Sequence, residues 1–217
     1  MSDFLVQDGQ TYLFQGDSIT DCGRRDSAAP LGGGYAKFAS EIVTALYPDR
    51  QIDFQNRGIG GNTTKDLRER WDDDTIRLQP DFISILIGIN DLHRWLFVPD
   101  PAIKVSPDEF AENYDWLLDR VTKETSAKII LLDPFYISLA SRDTERSQVL
   151  ELLPKYIQTV HDMSVKYNTL LVPMHTIYQQ HLTFREAECF CPEPVHPNHG
   201  GHLVMALELL RGLGAEL

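Results

Sequence analysis

Three short apolar runs constrain most strongly what this chain can fold into. Phe82-Ile83-Ser84-Ile85-Leu86-Ile87 is almost continuously apolar over the length of one strand, and Lys128-Ile129-Ile130-Leu131-Leu132 and Leu170-Leu171-Val172 look alike. A strand with one face in water alternates apolar and polar residues. A run without alternation fits a strand covered on both faces, as in a parallel sheet. Segments of helical spacing separate these runs. Tyr35, Phe38, Ile42, Val43 and Leu46 recur every three or four residues, and Leu67, Trp71 and Leu78 mark a helix from about Thr64 to Arg77. Similar patterns run from about Pro107 to Glu124, from about Arg142 to Tyr167 and from Gly201 to Leu213. Tyr12-Leu13-Phe14 and the alternating Ile52 and Phe54 add two strands, the second near a sheet edge. Such alternation specifies a doubly wound α/β fold, three layers α/β/α around a parallel sheet of about five strands in flavodoxin-like order. With no linker, repeat or low-complexity tract, residues 1–217 read as one domain.

Charge narrows the partners. The chain has 32 Asp and Glu against 20 Lys and Arg, a net charge of −12, opposite in sign to what a phosphate backbone attracts, so no nucleic acid is expected. Nothing approaches the roughly 18 consecutive apolar residues of a membrane span. Met1 to Asp8 lacks the basic start and apolar stretch of a signal peptide, and three cysteines, Cys22, Cys189 and Cys191, suit reduced thiols; together these predict a cytoplasmic protein.

In open parallel sheets, ligands bind beyond the carboxyl ends of the strands. The unusual residues fall there: Gly16-Asp17-Ser18-Ile19-Thr20-Asp21, Gly58-Ile59-Gly60-Gly61-Asn62 and Gly88-Ile89-Asn90-Asp91. Gly16 permits a tight turn and leaves room around Ser18, although Asp and Ser are also ordinary helix caps. Near the other end stands Glu193-Pro194-Val195-His196-Pro197-Asn198. A carboxylate three residues before a histidine can fold back to the imidazole, fix its tautomer and leave the other nitrogen for a nucleophile. The same segment reads equally as a proline-rich turn before a helix that Pro197 starts. A backbone N–H at Gly61 and the Asn90 amide can point at a developing oxyanion, or serve plain turn chemistry. The serine follows the first strand, which excludes the nucleophile elbow of an α/β-hydrolase. His196, His199 and His202 with Cys189 and Cys191 raise a zinc alternative. No His-Glu-x-x-His is present and Cys-x-Cys is not the usual knuckle, so no metal and no cofactor are assigned.

Taken together, Gly16-Asp17-Ser18, Gly61 before Asn62, Gly88-x-Asn90-Asp91 and His196-Pro197-Asn198 resemble the four blocks of the SGNH (GDSL) hydrolase superfamily, in its order and over nearly the whole chain. Residues 16–24, the Arg70-Trp71 pair and Ile87-Gly88-Ile89-Asn90-Asp91 resemble the branch containing intracellular bacterial xylan and xylo-oligosaccharide acetylesterases. The resemblance implies the SGNH fold and a serine esterase acting on small acyl esters, acetyl foremost, of sugars or oligosaccharides. Ser18 would be the nucleophile, His196 the base and then the acid, and Ser18 N–H, Gly61 N–H and Asn90 the oxyanion hole. The family has aspartate three residues before the histidine, where this chain has Glu193, which keeps the charge and adds a methylene. Glu188 is a second carboxylate nearby, and a Ser–His dyad is a further alternative. A broad acylesterase or lysophospholipase-type activity is the competing reading, ahead of a metal-dependent hydrolase or a silent binding protein.

Other residues are assigned from their setting. His93-Arg94-Trp95-Leu96-Phe97 follows the Asn90 block in what reads as a loop, where Trp95 can stack on a sugar ring; Trp95 and Asp17 are therefore expected to bind substrate. Trp71 and Trp116 read as core, and Leu96-Phe97-Val98 as a surface through which copies could form a homo-oligomer. A neutral histidine base predicts activity rising through the reference histidine pKa of about 6.5.

Overall fold

In the computed structural model, residues 4–139 and 144–217 are described. Five parallel strands form one sheet in the order β2-β1-β3-β4-β5: β1 (Thr11–Gly16), β2 (Asp53–Asn56), β3 (Phe82–Leu86), β4 (Lys128–Leu132) and β5 (Leu170–Val172). This is the flavodoxin-like order. The two central apolar runs behave as expected, with every residue of β3 buried and β4 buried from Ile129 onward. The third run does not: β5 is the last strand of the order, and Leu170 is exposed because no strand among the described residues lies beyond it. No helix among the described residues is long and apolar enough to cross a membrane.

The helices follow their capping chemistry. α1 (Ser18–Asp21) is one short turn capped by Asp17. α2 (Tyr35–Leu46) buries Tyr35, Ala36, Ala39 and Val43, so its core face is turned slightly from the Phe38, Ile42 and Leu46 stripe. In α3 (Thr64–Asp74), Thr63 and Asp66 form a reciprocal capping box. This helix stops before Arg77, because buried Gln15 holds both the Asp74 carbonyl and the Thr75 hydroxyl and the chain tightens into a 3₁₀ turn at Ile76–Leu78. α4 (Ile89–Phe97) lies where a loop was expected. α5 (Pro107–Glu124) begins with Pro107 behind a Ser106 cap, as the pattern requires. α6 (Thr144–Tyr167) carries Pro154 within it; Arg142, with which the sequence pattern opens, lies outside the described residues. α7 (Met174–His181) was not read from sequence, and α8 (His199–Gly212) starts two residues early because Asn198 caps it.

Trp71 is fully buried and donates to the Leu117 carbonyl at 3.1 Å. Trp116 is only partly buried, with the Arg68 and Arg120 guanidinium carbons 4.7 and 5.0 Å from its ring centre. The core thus lies on both sides of β1, β3 and β4, and the carboxyl ends of β2, β1 and β3 open side by side.

Candidate active site

Three of the four blocks identified in the sequence leave those strand ends, and the fourth, His196-Pro197-Asn198, leads into α8. β1 ends at Gly16, and the next two residues are Asp17 and Ser18. A side chain at Gly16 would collide with Thr20 and the Leu86 carbonyl, so only glycine lets the turn lie this close to β3. Asp17 caps α1 by accepting from Ile19 N–H at 3.0 Å. It is 1% exposed, and its other oxygen has no partner among the described residues. Burial raises its pKa to about 7, with the charge of Asp91 adding to the rise. Asp17 is therefore turned into the protein, and the expectation that it binds substrate is corrected: the cap it supplies to α1 points it away from solvent.

The segment after β2 carries Gly61, whose φ of 80° is the left-handed conformation that glycine tolerates. Neighbouring Gly60 donates its N–H to Asp21 Oδ2 at 3.0 Å, which ties this turn to α1; a side chain at Gly60 would lie 3.8 Å from Ser18 Cβ. The Gly61 carbonyl accepts from Arg94 Nη2 at 2.7 Å, while its exposed N–H has no acceptor among the described residues. After β3, Gly88 takes a φ of 130° and starts α4. Asn90 Nδ2 donates to the Asn62 carbonyl at 3.0 Å, which leaves its second amide hydrogen available. Asp91 turns the opposite way, buried, and accepts from Thr64 N–H at 3.0 Å and Thr64 Oγ1 at 2.5 Å. Burial raises its pKa to about 7 against the lowering effect of those bonds.

His196 arrives from the far end of the sequence. Its Nε2 lies 2.8 Å from Ser18 Oγ, and its Nδ1 lies 2.5 Å from Glu193 Oε1. The same Glu193 oxygen accepts from His196 N–H at 2.7 Å, and Oε2 accepts from Val195 N–H at 2.9 Å. The longer side chain thus folds back over a three-residue loop and grips both backbone and ring. The loop is anchored by Ile137 N–H on the Pro194 carbonyl, at 2.8 Å, and by Asn198 N–H on the Phe190 carbonyl, also at 2.8 Å. Among the described residues, Glu188 enters this loop only through its carbonyl, which accepts from Asn198 Nδ2. A carboxylate on Nδ1–H leaves Nε2 as the acceptor facing Ser18, an arrangement able to take the hydroxyl proton and drive acyl transfer.

Trp95 does not share this surface. It lies five residues past Asn90, about 140° around the helix at 3.6 residues per turn. Its ring packs under Lys104, 5.3 Å away, beside Leu96 and the Glu151 and Lys155 stretch of α6. The reading of Trp95 as a substrate contact is corrected on that ground: a helix, not a loop, carries it away. His93, one turn from Asn90, is the residue that the sequence reading missed. Its partly buried ring stands 6.2 Å from the Tyr136 ring, and burial lowers its pKa while nearby Glu193 pulls the other way. Helical phase from Asn90 would have found it.

The histidine and cysteine cluster is dispersed. Cys22 Sγ is 3.6 Å from His202 Nε2, Cys191 Sγ faces backbone carbonyls, and Cys189 is exposed. Among the described residues no three His, Cys, Asp or Glu side chains are grouped to hold a metal ion.

Against known proteins, residues 14–204 match the GDSL-like lipase/acylhydrolase family. The chain is 34% identical to an acetylxylan esterase of Geobacillus stearothermophilus over 97% of each sequence. The crystal structure of that organism's acetylxylan esterase Axe2 superposes with a TM-score of 0.88 at 33% identity, covering 98% of this chain and 97% of the other. Catalytic mutants of Axe2, in which a serine, an aspartate or a histidine is replaced by alanine, superpose comparably. LAE5, an α/β hydrolase from the metagenome of Lake Arreo in Spain, gives a TM-score of 0.87 at 28% identity, covering 97% and 98%. Matched across most of its length in family, sequence and fold, the chain belongs to the GDSL-like lipase/acylhydrolase family.

Proposed function

We propose that the protein is a serine esterase that hydrolyses small acyl esters, acetyl foremost, on sugars or oligosaccharides. The observation that carries the mechanism is the continuous relay Ser18 Oγ, His196 Nε2, His196 Nδ1, Glu193 Oε1, with contacts of 2.8 and 2.5 Å. His196 takes the Ser18 proton as the oxygen attacks the acyl carbon. The oxyanion is received by the N–H groups of Ser18 and Gly61 and the free amide hydrogen of Asn90. His196 then protonates the departing alcohol, and the acyl-enzyme remains. In the second half His196 deprotonates water, which attacks the acyl carbon and releases the acid and Ser18. Glu193 stands where the family has aspartate and reaches back to the His196 ring from three residues earlier in the loop. The acetyl and sugar preference is supported by the similarity to the acetylxylan esterase.

Residues 1–217 form, on this reading, one hydrolase domain that needs no cofactor. The net charge of −12 favours a neutral small-molecule ester over nucleic acid. Three unpaired cysteines support a cytoplasmic location, and the exposed Phe97 ring supports contact between copies.

Steady-state hydrolysis of p-nitrophenyl acetate and octanoate, with Ser18→Ala in parallel, tests the reading. Acetate turnover that disappears in the variant and falls steeply for octanoate is expected. Octanoate preference would transfer the protein to lipid acyl esters, and wild-type turnover by Ser18→Ala would remove the nucleophile.

A further inference from the structure

Arg70 stands on α3, outside the serine–histidine–glutamate relay, and it is bonded to the end of β1 before Ser18 and to the β2–α3 segment that carries Gly61 and receives the Asn90 amide. Its Nε donates to Asn62 Oδ1 at 2.8 Å. Its Nη1 donates to the Arg57 carbonyl at 2.7 Å, to Gln15 Oε1 at 3.1 Å and to Asp74 Oδ2 at 2.9 Å. Its Nη2 donates to the Gly16 carbonyl at 3.1 Å.

These acceptors are not interchangeable surface groups. Gly16 is the last residue of β1, two before Ser18. Arg57 begins the segment that leads from β2 to Gly61. Asn62 follows Gly61, and its own carbonyl receives the Asn90 amide at 3.0 Å. One planar guanidinium therefore joins the ends of β1 and β2 to the turn on which both Gly61 and Asn90 depend. An ammonium has three donors and no fixed plane, so lysine cannot reproduce this set. Asp74 balances the charge, with 14% of the Arg70 side chain and 25% of the Asp74 side chain exposed.

The geometry points to Arg70 as a positioning residue for the oxyanion hole: it holds the Gly16, Arg57 and Asn62 segments in one register, so that the Gly61 N–H and the Asn90 amide are set around Ser18 before substrate arrives. Donors that need no rearrangement during the reaction stabilise developing charge best. This inference rests on the serine esterase reading above. Arg70 itself does not touch the reacting atoms.

The test compares Arg70→Lys and Asn62→Ala with wild type on p-nitrophenyl acetate, with turnover expressed per Ser18 titrated by a serine-reactive phosphonate. Asn62 is only partly buried and loses a single bond to Arg70, so it remains informative if Arg70→Lys folds poorly. For Arg70→Lys, kcat and kcat/KM should fall together by about 10- to 100-fold with KM little changed, the signature of an interaction made in the transition state. Asn62→Ala should fall in the same manner, by about tenfold or less. Each should also combine with Asn90→Ala less than multiplicatively, because both would act through one oxyanion. Wild-type kcat per titrated serine in both variants, even with a lowered melting temperature, would make Arg70 merely structural and overturn the inference. So would losses that multiply cleanly with that of Asn90→Ala. If Ser18→Ala keeps wild-type turnover, the esterase reading fails first; if it is inactive while both variants turn over normally, only the role of Arg70 fails.

Discussion

Ser18, Gly61 and Asn90 sit at the ends of three adjacent strands, above side chains sealed from water, with Asp17 at 1% exposure and Asp91 at 0%. His196 and Glu193 project from a proline-flanked loop with 54% and 46% of their side chains exposed. The nucleophile side is held by long-range bonds, such as Asp91 to Thr64 and Arg70 to Gly16, whose partners are 27 and 54 residues apart. The His196 ring is held by a carboxylate three residues away, on a loop tied to the body by Ile137 N–H on the Pro194 carbonyl. The difference teaches how each half withstands change. An exposed ion pair has little Coulombic strength in water, so Glu193 acts through geometry more than through charge. The buried half has no solvent to replace a lost partner, so each deletion there leaves a stranded polar group.

The largest effect should come from cutting the one bond that joins the halves. Ser18→Ala or His196→Ala should lower kcat on p-nitrophenyl acetate by at least about 10⁴-fold, as removal of a triad member does elsewhere. A drop below 100-fold would mean that another pair does the chemistry. Next, Asn90→Ala should cost about 100- to 1,000-fold in kcat with KM nearly constant, the value of one oxyanion donor. A change confined to KM would place Asn90 in ground-state binding instead. Smaller again, Glu193→Asp should lower kcat by about tenfold, less than the 100-fold typical of a 1 Å misplacement, because solvent and the short loop can adjust. If Glu193→Asp matched the Asn90→Ala loss, the contrast between a rigid and a yielding half would collapse.

The least effect on rate and the clearest on stability should come from Asp17. Burial raises Asp17 and Asp91 from 3.8 to about 7, so the folded protein keeps protons there that the unfolded chain releases. Their contribution to stability is complete below about pH 4 and is lost as pH rises through about 7. His202 acts in the opposite direction: burial lowers it from 6.5 to about 4, so its contribution is present above 6.5 and lost as pH falls through about 4. Asp17→Asn keeps the oxygen that caps α1 and removes the ionisation. Thermal melts between pH 4 and 8 should then show a shallower decline toward neutrality than wild type shows. An unchanged slope would assign the decline to other groups.

Much of the frame was legible because each strand and helix announces itself locally. The unbroken apolar runs became β3 and β4, and three of the four blocks fell at the ends of adjacent strands. Misreadings arose where distant contacts decided. Leu170 looked like an inner strand until the sheet ended beside it, and α3 was shortened by Gln15, 59 residues away from Asp74. Trp95 reads as a sugar platform only on a loop, whereas the helical phase set by Asn90 turns His93 toward the site instead. The short α7 escaped notice although Met174, Ile177, Tyr178 and His181 carry its spacing.

The sequence by itself determined the parallel α/β frame and nominated the serine, histidine, glycine and asparagine positions, because periodicity and turn chemistry depend on neighbours a few residues away. Only the tertiary structure decided that Ser18 and His196, 178 residues apart, come within 2.8 Å, that Glu193 can replace a shorter acid by folding back on its loop, and that Arg70 binds the ends of β1 and β2 and the turn at Asn62 at once. Those distances depend on how the packed sheet brings remote strand ends together, and no local pattern encodes them.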